Sequence, residues 1–393
     1  MLLTTPAAIE PAAPPFGGPP PKLCFLVTED WYFCSHRLPV ARAARDAGFE
    51  VLVATRVRDH GDAIRDEGFR LCSLPWRRRG DGPLGAARAL GAIAALYRRE
   101  RPDLVHHVAL KPVLFGGLAL RLAFPHGTSR PASIVAITGF GSEFAASSGS
   151  ARAKRAVLGR ALRRLAGDRI IVQNPEDGAA LAAAGVAPAR LALIRGSGVD
   201  TGHFVPLPDP DGPEVTVALV ARMLRSKGVL DAVAAVRRLR DSGLAVGLLL
   251  VGPTDPDNRD SLGERDLARI AASPGIRWLG RVADVREVWV RAAIAVLPST
   301  YGEGVPKALI EAAACARPIV TADMPGCRDI VRHGVTGLLA PPGDTAALAA
   351  GLARLAADPA ERRAMGLAGR ALVEREFGEE RVARDTLALY QAV

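Results

Sequence analysis

No apolar run in this chain reaches the roughly 18 residues that a membrane-spanning helix needs. The best candidate, PVLFGGLALRLAF at 112–124, is short and interrupted by Arg121. A secretory leader is not expected either, because the N-terminus lacks a basic start and a continuous apolar region. Cysteine is sparse and odd in number. Cys24, Cys34, Cys72, Cys315 and Cys327 form no Cys-x-x-Cys pair, which fits a reducing compartment better than a disulfide framework or a zinc site. Aromatic residues make up 5% of the chain and do not interleave with its basic stretches. No recognised nucleic-acid module is present, so nucleic-acid binding is not expected despite the positive charge.

With 393 residues, 49% hydrophobic and 23% charged, the composition is that of a globular protein too long for one ordinary core. Seven prolines (Pro6, Pro11, Pro14, Pro15, Pro19, Pro20 and Pro21) make residues 1–21 read as a disordered, partly extended tail. From Lys22 onward, short Val/Ile/Leu runs alternate with helical stretches: KLCFLVT, EVLVAT, FRLCSL, DLVHHV, ASIVAI, DRIIVQ and LALIR. The first helical stretch is expected from about His36 to Gly48. The pattern pauses at VPLPDPDGPE, where Pro208, Pro210 and Pro213 mark a linker. It resumes with VTVALV, AVGLLLVG, IRWLG, AIAVLP and PIVTAD, and from Asp344 the chain reads as almost all helix. Such alternation predicts parallel sheets covered on both faces. The expected units are residues 22–204 and residues 205–377, with a final helix at about 378–393.

The segment LPSTYGEGVPKALIEAAACARPIVTADMPGCRD, 297–329, is the richest in chemistry. An apolar strand runs into a polar turn containing Glu303 and Gly304. Pro306 then stands where a helix should begin, its fixed φ suited to the first turn. A helix N-terminus has unpaired N–H groups and partial positive charge, so it attracts phosphate. Glu303 in the turn and Glu311 on the helix could grip hydroxyls on either side of that phosphate. A nucleotide sugar has this layout. The same spacing also allows Lys307 and Glu311 to form an ordinary surface ion pair at i,i+4. A second segment, VARMLRSKGV at 220–229, places Arg222 and Lys227 just after a strand. Two cations there could stabilise a departing diphosphate, and they would equally suit a solvated loop.

The motif Glu303-Gly304-Val305-Pro306 followed by Glu311 resembles the donor signature of glycosyltransferase family 4, within the GT-B superfamily. The stretches RPIVTADMPGCRDIV and HGVTGLLAPPGD strengthen the likeness, which extends from about Lys22 to the C-terminus. The chain resembles transferases of capsule, O-antigen and glycan assembly that act on lipid-diphosphate carriers. The resemblance implies an α/β fold of two Rossmann-like, doubly wound domains facing across a cleft, with the last helix crossing back to the first domain. It implies that Arg222 and Lys227 bind the donor diphosphate. Glu303 would contact the donor sugar, and Glu311 the ribose diol. Backbone N–H groups of Gly304 and Val305 would lie near the diphosphate. The loop at Arg281 and Val282 would read the nucleobase through its main chain, most often uracil. GT-B members generally work without a bound metal, so no metal and no cofactor beyond a nucleoside diphosphate sugar, most simply UDP-linked, is expected.

The first domain should hold the acceptor. Glu29, Asp30, Ser35 and His36 follow the first strand and are candidate contacts, although Ser35 also reads as a helix cap. In DLVHHVALKP, His106 and Lys111 match family positions. His106 is a candidate catalytic group with a structural role as the alternative, and Lys111 is a candidate partner for a lipid diphosphate. The chain departs from the family in the next turn. Where many relatives carry His, it reads TGFGSEF, with Thr138 and Gly139 as acceptor-side candidates. Thr cannot act as a base at neutral pH, and Glu143 nearby could. Retention with attack on the face that the leaving group vacates lets the donor phosphate take the acceptor's proton.

Charge supports a peripheral membrane reading. Residues 1–200 hold 27 Lys plus Arg against 17 Asp plus Glu, whereas 201–393 balance at 24 each. SARAKRAVLGRALRRLAGDR, 150–169, is a basic amphipathic stretch: Arg152, Lys154, Arg155, Arg160, Arg163 and Arg164 alternate with Val157, Leu158, Leu162 and Leu165. It could lie on an anionic membrane, helped by Arg77, Arg78, Arg79, Arg98, Arg99 and Arg101, or be a core-facing helix with a solvated back. The resemblance thus implies a retaining, metal-independent glycosyltransferase. It would act on a lipid-linked saccharide at the cytoplasmic face of the membrane. The same chemistry on a soluble acceptor, or binding without turnover, stands as the alternative.

Overall fold

The computed structural model describes residues 19–76, 82–125, 129–139, 159–165 and 167–393. Glu143, Arg77–Arg79, half of the basic stretch at 150–169 (residues 150–158 and 166) and nearly all of the proline-rich tail lie outside them.

Two parallel sheets organise the chain. The first contains β1 (Lys22–Glu29), β2 (Glu50–Arg56), β3 (Arg70–Ser73), β4 (Leu104–Val108), β5 (Ala132–Ile137), β6 (Arg169–Val172) and β7 (Leu191–Leu193). Their spatial order is β3-β2-β1-β4-β5-β6-β7. The second contains β8 (Val215–Val220), β9 (Val246–Val251), β10 (Ile276–Trp278), β11 (Ile294–Leu297), β12 (Ile319–Ala322) and β13 (Gly337–Ala340), ordered β10-β9-β8-β11-β12-β13. The expected doubly wound α/β class is thus the observed one. Each sheet reverses its winding direction once, between β1 and β4 and between β8 and β11. Ligands in such sheets bind beyond the strand ends at that reversal.

The reason is visible in β1. Leu23, Phe25 and Val27 enter one core and Cys24 and Leu26 another. A strand buried on both faces must be apolar throughout, hence the continuous runs. Strands β4 and β9 are likewise buried along their whole length. Strand β13, GLLA, was not anticipated, and its pairing with β12 reveals it.

The last helix, Glu379–Gln391, brings Val382, Ala383 and Tyr390 into the core of the first sheet. There the Tyr390 hydroxyl lies 2.5 Å from His106 Nδ1. The helix expected from about His36 to Gly48 runs Leu38–Asp46, and a further helix, Asp30–His36, precedes it where a polar loop was expected. The break between them has a chemical cause. Pro39 lacks the N–H that would bond the Ser35 carbonyl one turn back, and that carbonyl instead accepts from Lys307 Nζ of the second domain.

Candidate active site

A cavity of about 520 Å³ opens where the two reversal points face one another. Its walls come from the residues after β1, β4, β8 and β11, with Thr138, Gly139, Gln173 and Ser197 from the ends of β5, β6 and β7.

On the second-domain side, β8 ends at Val220 and the chain turns through Arg222 to a short 3-10 turn, Arg225–Lys227. Gly228 follows at φ +71°, and a Cβ there would sit 2.1 Å from the Pro298 carbonyl oxygen. Only glycine lets this turn press against the end of β11. Lys227 Nζ therefore meets Glu303 Oε2 in an ion pair, with both side chains largely buried. Burial opposes the Lys227 charge, but Glu303 and then Tyr301 outweigh it and raise its pKa. Ser299 Oγ donates to the other carboxylate oxygen, Oε1, at 2.6 Å. Glu303 is thus held at both oxygens, and Lys227 also lies 5.6 Å from the Tyr301 ring centre. Arg222 pairs with Asp255.

The helix after the turn runs Lys307–Ala314, with Pro306 as its N-cap rather than its first residue. The Gly304 N–H donates to the Thr138 carbonyl across the cleft at 3.3 Å. Gly139 has φ +103°, and a Cβ there would lie 2.6 Å from Gly304 N. That close approach of two backbones requires glycine. Glu311 sits one turn beyond Lys307, 3.8 Å from its amine. Burial pushes its carboxyl up to about 7 against the pull of Lys307. Arg281 reaches His60 Nε2 of the first domain at 3.4 Å and lines an adjoining chamber of about 330 Å³, not the main cavity. Val282 packs against the second domain's core.

From the first domain, His36 stacks on Tyr32, ring centres 4.2 Å apart and planes within 7°. Its Nδ1 is 2.5 Å from Ser35 Oγ. Burial first, then Lys307 and Arg37, hold its pKa well below the ordinary value. His36 is a neutral imidazole at pH 7 and faces the cavity as a hydrogen-bonding group, not a cation. Lys111 lines the cavity too. Its amine lies 5.5 Å and 5.6 Å from the ring centres of Trp76 and Phe115. Asp30, by contrast, is consumed by backbone: it accepts from the N–H groups of Trp31, Arg58 and His60.

His106 is corrected. It lies inside β4, not past its end, is fully buried, and stacks against Phe25 at 5.2 Å while meeting Tyr390. It belongs to the core and is not among the residues that line the cavity, which is the structural alternative to the catalytic reading. Burial depresses its pKa far below the ordinary histidine range. The chain also contains the tripeptide Asp-Pro-Asp twice, at 209–211 and 255–257. Asp209 is paired with Arg362 and Asp255 with Arg222. Trp31, Tyr32, Gln173, Ser197 and Tyr301 line the cavity without having been singled out from sequence. The polar Gln173 at the end of an apolar run was the one readable signal among them.

A doubly wound pair of sheets facing across this cleft is the GT-B fold, and each half of the chain matches a glycosyltransferase family model. Residues 22–174 match the family model "Glycosyl transferase 4-like", and residues 214–358 match "Glycosyl transferases group 1". The N,N'-diacetylbacillosaminyl-diphospho-undecaprenol alpha-1,3-N-acetylgalactosaminyltransferase of Campylobacter jejuni is 24% identical over 91% of this chain and 95% of that protein. The alpha-maltose-1-phosphate synthase of Mycolicibacterium smegmatis is 33% identical over 52% of this chain and 58% of that one. Among solved structures, Anabaena Alr3699/HepE in complex with UDP-glucose has a TM-score of 0.75 at 18% identity, covering 95% of this chain and 100% of that one. Sucrose-phosphate synthase from Thermosynechococcus elongatus has a TM-score of 0.77 at 23% identity, covering 95% and 98%.

Proposed function

We propose that this glycosyltransferase moves a sugar, with retention and without a metal, from a UDP-sugar to a polyprenyl-diphosphate-linked saccharide. The observation that carries this reading is the Lys227–Glu303 pair on the cavity floor, beside Arg222 and below the helix that starts at Lys307. As the glycosidic bond breaks, negative charge grows on the leaving diphosphate. Arg222 and Lys227 meet that charge as preorganised cations. Glu303 accepts from a donor-sugar hydroxyl while keeping Lys227 in place. Glu311 accepts from the ribose diol. The acceptor oxygen attacks the face that the leaving group vacates, and the departing phosphate oxygen takes its proton. His36 stays neutral and orients the acceptor hydroxyl, with Thr138 and Gly139 closing the same wall.

Lys111 is the cation placed to meet the acceptor's own diphosphate. The acceptor class is supported by the printed name of the Campylobacter relative. Membrane contact is supported by a surface at the far end of the helix that begins beside Lys111, on the side of the first domain away from the cleft. Leu118 and Leu122 are exposed on one face of the helix Leu110–Ala123. Arg98 donates to the Leu122 carbonyl and Arg121 to the Arg164 carbonyl, so apolar and basic groups share that surface. The maltose-1-phosphate synthase likeness favours a second reading, the same chemistry on a soluble phosphorylated acceptor, which Lys111 would serve equally well.

The test is a panel of nucleoside diphosphate sugars scored for slow hydrolysis, with and without chelator, and for transfer in the presence of anionic vesicles. The expected result is turnover of one UDP-sugar, unchanged by chelator and abolished in Glu303→Ala. Turnover that chelator stops overturns the metal-free site. A protein that fails to float with anionic vesicles at low salt overturns the lipid-linked acceptor in favour of the soluble one.

A further inference from the structure

The segment VGPTDPDNRDSL, between β9 and the helix Glu264–Ala271, has no place in the chemistry above, yet it packs against the loop that carries Arg222 and Lys227. Its backbone pairs with that loop through three hydrogen bonds. Met223 N–H donates to the Pro253 carbonyl, Leu262 N–H to the Met223 carbonyl and Arg225 N–H to the Asp260 carbonyl, the last two forming an antiparallel bridge between Leu224 and Ser261. Two carboxylates complete the contact. Asp255 takes Arg222, and Asp260 Oδ2 accepts both the Ser226 N–H, at 2.9 Å, and the Ser226 hydroxyl. Asp260 is itself fixed, its N–H donating to Asn258 Oδ1 at 3.1 Å. Ser226 then passes the constraint onward, since its carbonyl accepts the Thr300 N–H at 2.9 Å. The neighbouring Ser299 holds Glu303.

We infer that Asp260 is a positioning residue for Lys227, and that this segment is a strut for the donor-diphosphate side of the cleft. The inference rests on the donor-site reading above. A lysine on a four-carbon stem loses much rotamer freedom when it is fixed over a phosphate. Its backbone must already be in place for its charge to act without reorganisation. Gly228, next in sequence, has the conformational freedom to let the turn drift, so an external clamp is needed. Asp260 provides it: a carboxylate bonding two donors of one residue is stronger than a neutral acceptor would be. Asp260 lies outside both cavity linings, so it acts only through the Ser226–Lys227 turn.

The experiment measures the Kd for UDP by calorimetry in wild type, Asp260→Ala, Asp260→Asn, Lys227→Ala and the Asp260→Ala/Lys227→Ala double variant, with thermal unfolding of each. Asp260→Ala should weaken UDP about tenfold, the size of one hydrogen bond to a charged group. Asp260→Asn, whose amide oxygen still accepts the Ser226 N–H, should recover most of that loss. In the Lys227→Ala background the Asp260 change should add nothing, because the two act through one contact. Ser226→Ala, which removes only the hydroxyl half of the clamp, should fall between wild type and Asp260→Ala, and it carries the test if the Asp260 variants do not fold. UDP affinity in Asp260→Ala equal to wild type, with Lys227→Ala impaired, would overturn the positioning role and leave the donor site standing. Losses that add in the double variant overturn it as well, since they would mark a general loosening. A wild type that binds no UDP overturns the donor-site reading, and the strut with it.

Discussion

Burial raises the Glu311 carboxyl to about 7 against the attraction of Lys307, so the folded chain holds this proton more tightly than the unfolded one. The resulting stability is fully present below the unfolded carboxylate range and is lost as pH rises to about 7. Denaturant unfolding at pH 5 and pH 8 should show wild type losing on the order of 3 kcal/mol that Glu311→Gln does not lose. An equal loss in both would assign the dependence to other groups. The residue scale is also where sequence and structure part most clearly. Glu303, Arg222 and Lys227 were legible because each follows an apolar run at a fixed offset, and strand ends are where a parallel sheet presents ligands. His106 follows the same rule on paper, yet β4 extends two residues past it. A strand end is uncertain by a residue or two, and the parity of that error decides whether a side chain faces the cleft or the core. Glu311 was legible as a residue. Its raised pKa was not, because desolvation is a property of the packed helix.

At the scale of elements, the local rules held wherever glycine and proline dictated the backbone. Pro306 ends the turn, although one position earlier in the helix count than its sequence suggests, and Pro39 in the first turn of its helix leaves the Ser35 carbonyl free for Lys307. The turn at Gly228 is the most exacting. Gly228→Ala places a Cβ against the Pro298 carbonyl at positive φ. It should destabilise the protein by about 1–3 kcal/mol and weaken whatever Lys227 binds, both read from one thermal-shift titration with UDP. A variant as stable as wild type would mean that the turn relaxes without cost. Strand β13 went unread because four residues bounded by a turn carry no periodicity. Its identity comes from its neighbour β12, which no local pattern records.

Across the whole molecule, both sheets use the same winding, and their reversal points face each other, so four strand ends supply most of one cavity. The alternation of strands and helices made this class readable from the sequence. The contacts that set the two domains against each other were not readable, because they join residues more than a hundred positions apart. Gly304 N–H meets the Thr138 carbonyl, Asn174 Nδ2 donates to the Glu303 carbonyl at 3.2 Å, and Arg195 pairs with Asp329 at 2.8 Å. The last helix adds a second crossing, seating Tyr390 beside His106 in the first domain's core. The docked domains thus bring backbone from one onto the turn that carries Glu303 of the other.

On this reading the Arg222–Lys227–Glu303 floor binds the diphosphate of a nucleotide sugar. The displacement of bound UDP-sugar by UDP and by uridine, compared in wild type and Arg222→Ala, tests it. UDP should compete, uridine should compete at least a hundredfold more weakly because it offers the two cations no diphosphate, and Arg222→Ala should narrow the gap. Equal competition by UDP and uridine, or a gap that Arg222→Ala leaves unchanged, would contradict it.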